Sequence, residues 1–191
     1  MKRIYLLLIV FIHGCGPVLK LVYDVHDPKP ETKQSLIHYL ERKNIRSDNI
    51  LVAADSASCI EMVNRVRNFP TIRVFDRAGN MVYYKDTTVS CSAAAYGFTA
   101  SICSLKELPL GSSWLMKDEI AHLVSLDGQP VKPGDGHDYT VFIYWARFTG
   151  RLNKVEAKEW EESILKSGCN VTVYKVSIDW MESWNTKSPF E

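Results

Sequence analysis

The sequence predicts an α/β protein built on a mixed β-sheet with helices on both faces. Three observations lead there. Between residues 18 and 108, runs of β-forming residues alternate with helical patterns in the order strand, helix, strand, helix, strand, strand, helix. The run Asn49–Ala54 is almost continuously apolar, as a strand covered on both faces requires. Asp76-Arg-Ala-Gly-Asn80 separates two alternating runs and signals a hairpin. The 191 residues suffice for one substantial domain or two small ones.

The chain begins with Lys2 and Arg3, followed by an apolar run from Ile4 to Ile12 that is too short to span a bilayer and suits a signal peptide. It ends in Ile12-His13-Gly14-Cys15, which resembles the bacterial lipoprotein box. That resemblance implies a signal peptide over 1–15, lipidation of Cys15, and an extracytoplasmic protein tethered to a bacterial membrane through its N-terminal lipid. His13 is an unusual occupant of the free position in that box.

Leu19–Val25 reads as the first strand, rich in β-formers and bounded by Gly16-Pro17 and Asp27-Pro28. A helix is expected from about Glu31 to Asn44, with Leu36, Ile37 and Leu40 on its apolar stripe. After the Asn49–Ala54 strand, Ser56 is a candidate cap for a helix reaching Val66, with Ile60 and Val63 facing inward. Thr71–Phe75 and Met81–Tyr84 form the hairpin arms. A helix over about Ser92–Leu105 carries Ala95, Phe98, Ile102 and Leu105.

Beyond Gly111, Trp114–Leu123 is a short helix candidate and Asp127-Gly128 turns a second hairpin. Tyr139–Trp145 is an apolar strand that feeds a polar turn, Arg147–Asn153. An amphipathic helix with Val155, Trp160, Ile164 and Leu165 on its apolar side follows, then the alternating strand Asn170–Ile178. A further helix is expected to start at Asp179–Trp184, and there the second unit stops.

Two features resemble the thioredoxin superfamily. Phe69-Pro70-Thr71 stands directly before the hairpin, where that family carries a cis-proline facing its Cys-x-x-Cys turn. Cis X-Pro bonds cost little where a tight turn needs them. The strand Tyr139–Trp145, its turn and its helix also resemble the family's active-site unit, and with the preceding hairpin and Gly/Asp linker they resemble the membrane-anchored thioredoxins of cytochrome maturation. The resemblance implies a thioredoxin-like domain over 16–111 and a partial thioredoxin-like β-α-β unit over 112–191. The partial unit is expected to pack on the first or to pair with another copy, because a half-domain with an apolar strand edge does not stand alone. On this division Pro70 and Thr149 belong to different units and need not face each other.

Laid on the family pattern, the two cysteine positions hold Thr149 and Leu152. A threonine has no comparable acidity and forms no mixed disulfide, and a leucine resolves none, so disulfide exchange through this turn is excluded. The turn of the first unit, Asp24–Thr32, has no thiol either. Its His26 beside Asp27 suggests acid–base chemistry only weakly, and a polar loop is the simpler account. Arg147 and Arg151 near a helix N-terminus suit an anion, or are simply solvated.

The remaining cysteines, Cys59, Cys91, Cys103 and Cys169, allow three connectivities, and their simplest reading is as small buried apolar residues. Cys91 and Cys103 on one helix would be about 18 Å apart and unable to pair. His26, His38, His122 and His137 show no ligand spacing, so no metal and no cofactor are expected. Lys plus Arg total 23 against 22 Asp plus Glu, for a net charge of +1, which gives nucleic acid no attraction.

Two functions are left. One is a non-catalytic thioredoxin-like lipoprotein that binds a protein or peptide beside the Phe69-Pro70-Thr71 loop or along Trp180 and Trp184. The other is a thiol–disulfide enzyme whose cysteines lie outside the usual turn.

Overall fold

The computed structural model describes residues 20–66, 69–82, 93–104, 114–132 and 136–188. Helix α1 (Lys33–Arg42) leads to strand β1 (Ile50–Ala53), helix α2 (Ser56–Val66) and the hairpin of β2 (Thr71–Asp76) and β3 (Met81–Val82). Helix α3 (Ala93–Ala100) and helix α4 (Met116–Ile120) precede β4 (Leu123–Ser125). Strand β5 (Tyr139–Trp145) then runs into a 3-10 turn (Arg147–Thr149), a π-turn (Asn153–Lys158), helix α5 (Glu159–Lys166) and strand β6 (Val171–Ser177).

The strands form one mixed sheet in the order β3-β2-β5-β6-β1-β4. The inner strands β5, β6 and β1 are parallel, and the antiparallel hairpin β2–β3 and strand β4 close the two sides. Helix α2 therefore connects strands that lie three positions apart, and β5 and β6 fill the gap. The boundary expected after residue 111 separates strands of one sheet, not two sheets. Both edges of β6 are taken, by β5 and β1.

The centre of the sheet follows from the composition of β5. From Thr140 onward every residue of this strand is buried. Val141, Ile143 and Trp145 pack with Leu36 and Leu40 of α1, Phe98 of α3 and Trp160 and Ile164 of α5. Phe142, Tyr144 and Ala146 pack on the opposite face with Cys59 and Met62 of α2, Leu51 and Val176. The period of two thus serves two cores at once, and each of the large apolar side chains contributes about 1.5–3 kcal/mol. Lys175 of β6 is buried against Glu161 of α5, and Arg73 of β2 pairs with buried Glu119 at 2.8 Å, so charged groups also tie helices to the sheet.

Several expectations need correction. The segment expected as a first strand is helical at 20–23, and Asp24 turns the chain with φ 57°, so no part of 20–25 joins the sheet. The α2 cap is Asp55, whose Oδ1 accepts from the Ser58 N–H at 2.7 Å, while Ser56 lies inside the helix. The fully buried residues are Cys59 and Met62, with Val63 packed partly buried beside them as expected, whereas Ile60 is exposed, as is Leu165 in α5. Residues Asp179 and Trp180 start no α-helix, and only a 3-10 turn forms at Glu182–Trp184. Cys103 and Cys169 form a disulfide with Cα atoms 5.4 Å apart, and so are not isolated apolar residues. Cys15, Cys91, Leu105 and the leader 1–15 lie outside the described residues.

Candidate functional site

The candidate site lies where β5 ends. The Phe69–Pro70 peptide bond is cis, and the β2–β5 register pairs Thr71 with Tyr144. Pro70, itself buried, is therefore level with the end of β5 that carries the Arg147–Thr149 turn. The structure brings the proline loop and the turn together, although 79 residues separate Pro70 from Thr149.

The turn is filled by a buried polar network. Thr149, 5% exposed, has its Oγ1 2.7 Å from both the Ala146 carbonyl and Asn153 Oδ1. Asn153 Nδ2 donates to the Ala146 carbonyl at 2.7 Å and to the Tyr39 hydroxyl at 2.8 Å. Tyr39 Oη donates to the Gly150 carbonyl at 3.2 Å, and its ring stacks on Trp145. Burial pushes the Tyr39 phenol up, with the Asn153 hydrogen bond opposing. Each polar atom of Thr149, Asn153 and Tyr39 thus has a partner inside the fold. Leu152, at the second cysteine position, is half-buried.

A buried carboxyl supports the turn from beneath. Asp179 accepts the Arg147 N–H on both oxygens, at 2.8 and 3.0 Å, and the Ser177 hydroxyl at 2.8 Å. Burial pushes the Asp179 carboxyl up to about 7, against the pull of the Arg147 amide and Ser177 hydroxyl. The Arg147 guanidinium pairs with Glu31, which also accepts the Ser35 hydroxyl. Arg147 is thus half-buried and held by a carboxylate of its own chain, not a free cation waiting for an anion. Sequence reading missed both Glu31 and Asp179, because each was read as a helix-start residue. The only cue was an acidic residue directly after a clean strand.

Residues 22–26 cross the turn on its other side. Arg151 N–H donates to the Tyr23 carbonyl at 2.6 Å and His26 N–H donates to the Phe148 carbonyl at 3.0 Å. Arg151 also reaches the Val22 carbonyl through Nη1 at 3.4 Å. Gly150, with φ 60°, lies so close that a Cβ there would overlap the carbonyls of Tyr23 and Asp24. His26 and Asp27 do not act as a pair: His26 Nδ1 faces the Asp24 carbonyl and Asp27 is bound to Lys20, which holds its carboxyl below the usual value.

The described cysteines offer no thiolate. Cys59 is buried, and burial followed by the nearby Asp179 charge pushes its thiol up to about 12. The Cys103–Cys169 disulfide borders an open cleft of about 840 Å³ lined also by Arg77, Asp138 and Asn170. Trp180 is buried and packs edge-on against Trp184, which lines a second cleft of about 730 Å³ with Glu31, Gln34, Leu126 and Glu182. Among the described residues no group of three or more His, Cys, Asp or Glu side chains is placed to hold a metal, and no helix is long and apolar enough to cross a membrane.

The turn can therefore neither attack an electrophile nor exchange a disulfide, and what it offers is shape and backbone hydrogen bonding. No family model, curated protein or solved structure matches the chain.

Proposed function

We propose that the chain is a non-catalytic, thioredoxin-like lipoprotein that binds a protein or peptide partner beside the Pro70 loop. The observation that carries this reading is the closed turn: Thr149, Asn153 and Tyr39 satisfy one another where a reactive thiol pair would stand.

The thioredoxin-like reading is supported by the neighbours of β5. Its turn and helix lead to the parallel strand β6 on one side, and the proline-led hairpin β2–β3 lies antiparallel on the other. On this reading the parts of a thioredoxin-like core would be drawn from both halves of the chain, with the turn-bearing unit following the hairpin in sequence. Export and lipidation at Cys15 rest on the basic start, the apolar run and the Gly14-Cys15 pair. The Cys103–Cys169 disulfide supports an oxidising, extracytoplasmic location.

The test is insulin-disulfide reduction driven by dithiothreitol, with the full chain at micromolar concentration. The reading expects the rate of the reagent alone. Acceleration abolished by a Cys103→Ser/Cys169→Ser variant would favour the second reading. In that case dithiothreitol reduces this disulfide to two thiols and is itself oxidised to its cyclic disulfide, and the two thiols then reduce an insulin disulfide and re-form the Cys103–Cys169 bond. The exposure of Cys103 is the one feature that favours it.

A further inference from the structure

Leu21 and Val22 are neighbours in sequence and both lie open to solvent, Leu21 at 83% and Val22 at 49% exposure. Ile60 and Leu165, the other large apolar residues exposed among the described ones, stand singly on α2 and α5, as scattered surface hydrophobics do. An adjacent apolar pair held in water is unfavourable until a surface covers it. No described part of the chain does so.

The pair is held out by its backbone. Residues 20–23 are helical, and Asp24 turns the chain. The Arg151 N–H donates to the Tyr23 carbonyl at 2.6 Å, the Arg151 guanidinium reaches the Val22 carbonyl at 3.4 Å, and the His26 N–H donates to the Phe148 carbonyl at 3.0 Å. The main chain is thus fastened to the turn that ends β5 while the two side chains stay in solvent. Lys20, Lys29 and Arg151 are exposed around them against Asp24 and Asp27, with Lys20 bound to Asp27, so the surroundings are slightly basic. An apolar pair beside long cationic side chains suits the boundary between acyl chains and headgroups.

The position of the pair in the chain says which surface it meets. Leu21 follows Cys15 by six residues, so it stays within about 20 Å of that position however the intervening chain runs. Resting on the lipid-anchored reading above, we propose that Leu21 and Val22 are a membrane-contact patch, which inserts into the headgroup boundary of the bilayer that holds the Cys15 lipid. Two apolar side chains bind a membrane weakly by themselves, but the short tether presents them to it at high effective concentration. The lipid alone leaves the body free to turn about its anchor. The patch is hydrogen-bonded to the Phe148–Arg151 turn, so its insertion supplies a second point of attachment and fixes how that turn stands over the membrane.

The experiment uses the lipidated chain extracted from membranes of an expressing bacterium. It is placed in vesicles of phosphatidylethanolamine and phosphatidylglycerol with a trace of phospholipid that carries a diazirine on an acyl chain. Illumination labels residues in contact with the acyl chains, and peptide mass spectrometry locates the label. Residues 20–30 are expected to carry about ten-fold more label than the peptides that hold Ile60 and Leu165. Leu21→Ser/Val22→Ser changes only exposed side chains and leaves the backbone bonds to the turn in place, and it is expected to lower that label about five-fold. Label spread evenly over these regions would overturn the proposal, and would point to a second copy or another protein as the cover. Label at 20–30 that the double substitution leaves unchanged would overturn it too, because nearness to the anchor alone gives that result. The intact mass of the same sample reads the anchor separately. A chain without the acyl mass on Cys15 overturns the lipoprotein reading and the patch with it, whereas an acylated chain with even labelling overturns the patch alone.

Discussion

Replacing Asp179 by Asn tests the buried carboxyl beneath the turn. The folded protein raises this group from 3.8 to about 7, chiefly by burial, so the folded state holds a proton that the unfolded state has released. Below about pH 4 both states are protonated and the group is neutral in its effect. Between pH 4 and 7 the unfolded state binds fewer protons, so the contribution of Asp179 to stability falls as pH rises, and above 7 the loss is complete. At about 1.4 kcal/mol per pH unit, the loss across this window amounts to about 4 kcal/mol as an upper bound. Asp179→Asn keeps an acceptor for the Arg147 N–H and carries no proton-linked cost. Urea unfolding at pH 4.5 and pH 8 should therefore show the variant gaining about 2–4 kcal/mol on the parent between the two conditions. Taking the difference between the two proteins removes the opposite trend of carboxylates such as Asp48 and Asp55, which hydrogen bonds hold below their usual value. A difference that does not change with pH, or that moves the other way, would show that Asp179 is an ordinary ionised carboxylate and refute the reasoning.

Two further outcomes follow from the same geometry. Thr149→Val leaves Asn153 Oδ1 without its hydroxyl partner in a buried site and should lower unfolding stability by about 1–3 kcal/mol without creating or removing any thiol chemistry, as denaturant titration can measure. Reducing the Cys103–Cys169 bond, which closes a loop with a sequence separation of 66, should lower stability by about 4 kcal/mol, read from unfolding midpoints with and without reductant.

What was legible in the sequence was local. Tyr139–Trp145 has the β-branched and aromatic content of a strand buried on both faces, and the strand has those bounds. Asp76–Asn80 makes its hairpin, with Gly79 at φ 82° and the Asn80 N–H bound to the Asp76 carboxylate. What was not legible depended on distant partners. Leu19–Val25 has strand composition, yet the two central sheet positions, β5 and β6, are filled by chain that arrives more than a hundred residues later. Nothing local says that β5 enters between β1 and β2, so the division into 16–111 and 112–191 could not foresee one interleaved sheet. Asp179 and Glu31 look like surface carboxylates because their type usually is. Their burial is decided by Arg147, which lies far from Glu31 in the sequence. The disulfide was open for the same reason, since spacing alone does not pair cysteines.

The central claim is that the turn at the end of β5 is chemically closed and that, among the described residues, no thiol takes over its chemistry. Pulsed alkylation of the folded full chain across pH 5–9, read by mass spectrometry cysteine by cysteine, tests it most directly. The account predicts that Cys59 stays unlabelled until the protein unfolds and that none of Cys59, Cys103 and Cys169 reacts as a thiolate below the ordinary thiol range. Any of these three labelled within seconds at pH 6 in the folded protein would contradict it.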